Sequence, residues 1–87
     1  MYTAETDEQA QQQVAALPPE ALPAYAETRT LLEVHPWAGT PYHRRNPGAP
    51  LRTVAFGSAG MATYLILEDQ RREDVLRVFW AHRADSR

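Results

Sequence analysis

The sequence contains no cysteine and no lysine. The first absence excludes disulfides, thiolate metal ligands and a cysteine nucleophile, so the fold has to hold by packing alone. The second leaves arginine as the only strong cation, nine of them against eleven acidic residues for a formal net charge of −2. There is no apolar run near the length that spans a bilayer. The start, Met1-Tyr2-Thr3-Ala4-Glu5, lacks the basic and apolar regions of a secretory signal, so a cytoplasmic location is expected. At 87 residues there is room for one hydrophobic core, and a single domain covering 1–87 is expected. His35, His43 and His82 are too scattered for a zinc site, and neither a metal nor a cofactor is expected.

What the chain does have is polarised charge. All arginines but Arg29 fall at or after Arg44, while acidic residues dominate the first third. A local basic surface is therefore compatible with a slightly acidic whole. For any single arginine the plain reading is a cation that faces water.

The opening alternation Tyr2–Glu5 reads as a short strand. Thr6-Asp7-Glu8-Gln9 has the spacing of a capping box and predicts a helix, with Ala10, Val14 and Leu17 on its apolar side and Gln11, Gln12 and Gln13 on the other. Pro18-Pro19 stops it near Leu17. A second helix is expected to start near Pro19, which suits a first turn, with Glu20 complementing the helix dipole; Pro23 would lie awkwardly beyond that turn, which shifts the start toward Ala21 or Leu22, and Pro36 ends the helix. Its inward side is expected to carry Leu22, Tyr25, Leu32 and the stem of Arg29.

Residues 36–50 hold four prolines and two glycines, which reads as a long ordered loop pinned by Trp37 and Tyr42. From Leu51 the apolar period drops to two. Leu51–Phe56, Met61–Leu67 and Asp74–His82 read as strands, joined by Gly57–Gly60 and by the polar turn Glu68–Arg72. Helices that precede a meander of strands make the class α+β, in the order β-α-α-β-β-β, with two N-terminal helices packed on a small antiparallel sheet.

In the last strand, strict alternation groups Leu76, Val78, Trp80 and His82 on the face toward the helices and Val75, Arg77, Phe79, Ala81 and Arg83 on the other. Two guanidiniums that flank an aromatic on an open sheet suit an RNA backbone and a stacked base, so Arg77 and Phe79 are candidate RNA-binding residues. His43, Arg44 and Arg45 form a small basic cluster in the loop that could touch phosphate. His82, at a strand end, could exchange a proton during phosphoryl transfer.

This order of elements, with the Pro36-Trp37 step after the helices and the closing Val78-Phe79-Trp80-Ala81-His82-Arg83, resembles the RelE/ParE toxin superfamily over nearly the whole chain. The resemblance implies a cytoplasmic toxin of a type II toxin-antitoxin system, neutralised by a cognate antitoxin. One branch of that group cleaves mRNA on the ribosome, and the other acts on DNA gyrase. Carried onto this sequence, Arg52 matches a basic position at the scissile phosphate and Arg83 the arginine that steadies the transition state, with His82 as acid or base. Cations that neutralise charge on the phosphoryl group would supply most of such catalysis. The sequence departs from the family where the strand Met61-Ala62-Thr63-Tyr64 opens without a cation, and Tyr64 is a candidate for the aromatic the family carries near the chain end. The resemblance thus implies a ribosome-dependent endoribonuclease or a degenerate relative. The alternative is a non-catalytic interaction domain of the same fold, or a ParE-like gyrase inhibitor. A homodimer is left open.

Overall fold

The computed structural model describes residues 1–81. A five-stranded sheet runs in the order β1-β5-β4-β3-β2, formed by β1 (Thr3–Thr6), β2 (Thr40–Pro41), β3 (Leu51–Phe56), β4 (Gly60–Leu67) and β5 (Arg72–Trp80). Two helices, α1 (Glu8–Ala15) and α2 (Ala21–Val34), lie on one face of it. The α+β order expected from the sequence is present. Two details go beyond it: β1 pairs parallel to β5, making the sheet mixed, and the proline-rich loop contributes the two-residue β2.

Local chemistry explains most boundaries. The cap of α1 is Asp7, one residue later than the expected Thr6, and its carboxylate accepts from the Gln9 amide (3.2 Å). α1 ends at Ala15, ahead of Pro18-Pro19, and α2 starts at Ala21 with Pro23 inside the first turn, where its missing amide is not needed. β3 and β4 form a hairpin in which Gly57 takes φ 62°, a conformation that glycine adopts without steric cost.

Ala10, Leu17, Ala21, Tyr25 and Leu32 pack onto Phe56, Ala62, Tyr64, Ile66, Val75 and Val78. Leu22, expected to point inward, is 44% exposed, and Ala21 takes the inward place instead. The last strand corrects a second expectation. Thr63 pairs with Arg77 and Tyr64 with Val75, so Leu76 is an extra residue, a β-bulge that reverses the alternation. Val75 consequently joins Val78 in the core, whereas strict alternation had put it on the open side with Arg77 and Phe79. Close to the bulge the Val78 amide donates to Oε1 of Gln13 (2.6 Å), so Gln13 turns toward the sheet, away from the solvent-facing side expected for it.

The free edge of β1 is closed by polar contacts from the helices. Arg29 Nη2 donates to the Ala4 carbonyl (2.7 Å), Gln11 Nε2 to that of Thr6 (2.9 Å), and the Tyr2 amide to the Glu33 carbonyl (2.8 Å). At the opposite edge Pro41 offers no amide. Both edges are thus blunted against strand addition.

Candidate functional site

The helices cover one side of the sheet, and the residues that alternate away from them form two cross-strand rows, Thr53–Thr63–Arg77 and Ala55–Met61–Phe79. The exposed ring of Tyr42, from the loop that follows β2, closes one end. Together Tyr42, Thr53, Met61, Thr63, Arg77 and Phe79 line a shallow cavity of about 300 Å³. Phe79 is 50% exposed and Met61 43%, a high exposure for two large apolar groups side by side on a sheet. Arg77 is exposed and enters no ion pair among the described residues. The bulge matters here, because it lets Val75 pack inward while Arg77 and Phe79 stay outward.

His43, Arg44 and Arg45 lie in the same loop as Tyr42, exposed, with the His43 ring edge-on to that of Tyr42 (5.0 Å between centroids, 75°). No carboxylate or imidazole lines the cavity among the described residues. What this surface offers is a guanidinium, an aromatic face and hydroxyls, suited to holding a phosphate and stacking a base. Proton transfer would have to come from outside it. His82 and Arg83, the two site candidates at the chain end, lie outside the described residues.

Arg52 is not where the sequence reading put it. It shares the covered side of β3 with Phe56 and is 8% exposed. Its Nη1 donates to the carbonyls of Pro47 (3.1 Å) and Ala49 (3.2 Å), its Nη2 to that of Gly39 (2.8 Å), and the Trp37 ring lies 5.0 Å from its Cζ. The physical reason is the loop itself. A segment rich in proline has few amides with which to satisfy its own carbonyls, and a buried guanidinium supplies several donors at once. The expected phosphate contact is therefore corrected, since the Arg52 donors that would make it already hold the loop.

Tyr64 is corrected in the same way. It is fully buried, and its hydroxyl donates to the Pro36 carbonyl (2.7 Å) and accepts from the Gly39 amide (3.0 Å). Burial raises the phenol above its usual range, against the opposing pull of the Gly39 amide and the Arg52 charge. It is thus no substitute for a substrate-facing aromatic. Together Arg52 and Tyr64 fasten both ends of the 36–50 loop and so fix the base from which Tyr42 and the His43–Arg45 cluster project. Reading β3 backward from Phe56 in steps of two reaches Arg52 on the covered side, which is the signal that could have revealed this.

A third polar group was missed altogether. Glu73 is fully buried on the covered side of β5, and neither carboxylate oxygen has a hydrogen-bond partner among the described residues. Burial, and then the nearby Glu33, push its carboxyl up to about 7, with Arg29 pulling the other way.

No protein-family model matches the sequence, and no curated protein matches it. Solved structures do match in shape. The chain is similar to the isolated RelE toxin of E. coli (15% identity, TM-score 0.78, covering 98% of this chain and 89% of that one). It is also similar to the RelBE2 toxin-antitoxin complex of Mycobacterium tuberculosis (23%, 0.77, 92% and 98%) and to the archaeal RelE-RelB complex of Pyrococcus horikoshii (16%, 0.68, 94% and 97%). The fold is that of the RelE toxins.

Proposed function

We propose that the chain is the toxin component of a type II toxin-antitoxin pair and that its open sheet face receives RNA, with ribosome-bound mRNA as the substrate. The observation that carries this reading is the pairing of exposed Arg77 with exposed Phe79 beside Tyr42 on the side of a RelE-type sheet that no helix among the described residues covers. The solved neighbours include RelE proteins held in RelB complexes, which supports a cognate antitoxin as partner. In this reading Arg77 and the His43–Arg45 cluster neutralise phosphates and Phe79 stacks a base. Arg83 steadies charge as the 2′-hydroxyl attacks the adjacent phosphorus and the bond to the 5′-oxygen breaks, giving a 2′,3′-cyclic phosphate and a free 5′-hydroxyl, while His82 exchanges the proton between these two oxygens. Arg52 acts at a distance, by holding the loop from which part of this surface projects.

The same face supports a second reading, favoured by its composition. Arg77 is the one cation lining the cavity among the described residues, and Met61, Phe79 and Tyr42 give it an apolar character that suits a protein partner. In that reading the domain binds and does not cleave.

Induced expression without a partner separates the two. The nuclease reading expects growth arrest, cleaved transcripts in 5′-end mapping, and loss of both in Arg83→Ala and Arg77→Ala. Intact transcripts in arrested cells would support the binding reading. Unimpeded growth with intact transcripts, from a chain confirmed to accumulate folded, would contradict the toxin proposal.

A further inference from the structure

A second concave region lies away from the open sheet face, and its chemistry is the reverse. The short 3-10 turn Pro36–Ala38 carries Trp37 outward, and its indole forms a wall common to two hollows. One, of about 500 Å³, is bounded by Tyr2, Val34 and the turn itself; the other, of about 400 Å³, by Ile66, Leu67 and the segment Glu68–Gln70. Val34 is 53% exposed and Trp37 44%, so apolar surface is left uncovered where α2 ends. None of the residues that line these hollows lines the cavity on the open sheet face.

The rim decides what could fill them. Glu68 and Asp69 are exposed at one end and form no ion pair among the described residues, although Glu68 accepts a hydrogen bond from Tyr2 (2.5 Å). The opposing cation is Arg71, placed over the Tyr2 ring at 5.5 Å. Two exposed carboxylates, Glu68 and Asp69, against the one guanidinium of Arg71 leave the rim acidic and disfavour phosphate, so a nucleic acid is the wrong occupant. Apolar walls with an acidic rim complement a peptide that presents apolar side chains next to lysine or arginine.

We infer that the paired hollows on either side of Trp37 are a docking groove for a basic, apolar segment of a partner protein. The inference does not depend on the RNA reading. Because the groove and the open sheet face have separate linings, a protein held in one leaves the other geometrically free.

The test is selection from a phage-displayed library of random twelve-residue peptides against the immobilised chain. Synthetic copies of the enriched sequences are then titrated by fluorescence anisotropy. The expected peptides combine leucine-like residues with lysine or arginine. They bind about tenfold or more weaker to Trp37→Ala and to Val34→Glu, as expected for loss of a central apolar anchor. They bind roughly threefold weaker to the double variant Glu68→Gln, Asp69→Asn, as expected for rim charges, and that loss shrinks at high salt. Phe79→Ala binds them as wild type does. Trp37 also touches Arg52, so circular dichroism checks the fold of each variant, and Val34→Glu carries the test should Trp37→Ala unfold. Failure to enrich any sequence, enrichment of acidic peptides, or binding lost in Phe79→Ala and kept in Val34→Glu would each overturn the inference.

Discussion

Arg52 and Arg77 are chemically the same side chain set on opposite faces of one sheet. Arg77 shares a cross-strand row with Thr63 and Thr53, and Arg52 is the residue next to Thr53. One residue of offset sends Arg52 under a loop and leaves Arg77 in solvent. The buried guanidinium works for the fold because a proline-rich segment presents carbonyls with few amides to meet them. The exposed one is open to a ligand because nothing beside it among the described residues takes its donors. Residue type therefore says little about role here; strand parity, and what the neighbouring backbone lacks, say much more.

That contrast can be broken most forcefully at Arg52. Arg52→Ala leaves three loop carbonyls without their donor, that of Gly39 buried, and is expected to cost about 3–5 kcal/mol in urea unfolding. Arg52→Lys should recover little of it, since a single ammonium does not reproduce the planar fork. A loss under about 1 kcal/mol for Arg52→Ala would show that the loop holds without it.

Glu73 sharpens the comparison from the acidic side, as a buried charge without the partners that Arg52 enjoys. Its carboxyl rises from the usual 4.5 to about 7 in the folded state. The unfolded chain therefore releases this proton first. The stability that Glu73 contributes should be highest below about pH 4.5, fall as pH rises toward 7, and level off above it, with a total span on the order of 3 kcal/mol. Glu73→Gln should flatten that slope and stabilise the protein at pH 8. Chemical denaturation at intervals from pH 4 to 8 measures both, and an unchanged slope in Glu73→Gln would assign the pH dependence to other groups.

Tyr64→Phe is expected to be milder. It removes the hydroxyl between Pro36 and Gly39 and keeps the ring, for a loss of about 1–3 kcal/mol in the same unfolding assay. Smallest of all should be the effect of Arg77→Ala on stability, within about 0.5 kcal/mol, as for a surface residue with no partner among the described residues. Its effect belongs to binding: weaker retention of single-stranded RNA, with a reduced dependence on salt.

The sequence disclosed the order of elements because proline and period leave strong marks. Pro18-Pro19 and Pro36 end the helices, and the change to period two at Leu51 marks the strands. It disclosed Arg77 and Phe79 as outward because the open face follows from the apolar residues opposite. Three things were hidden for physical reasons. The bulge at Leu76 leaves no compositional trace, since an extra leucine in an apolar strand looks like any other core residue. The parallel placement of β1 beside β5 joins the two ends of the described chain, a pairing that local pattern does not encode. Arg52 was read as a phosphate-facing cation and Glu73 drew no reading, because charged side chains usually face outward; their burial follows from the neighbours they meet only after folding. The family resemblance led correctly to the fold, yet its carry-over at Arg52 matched a residue type at a position whose side chain points to the other face.

The most direct test is nuclear magnetic resonance mapping of the labelled chain during titration with a short single-stranded RNA. The account predicts shifts concentrated at Thr63, Arg77, Phe79 and the Tyr42–Arg45 segment, with the Nε–Hε signal of Arg52 and the amides of α2 unmoved. Shifts centred on Arg52 or α2, with Arg77 and Phe79 silent, would contradict it.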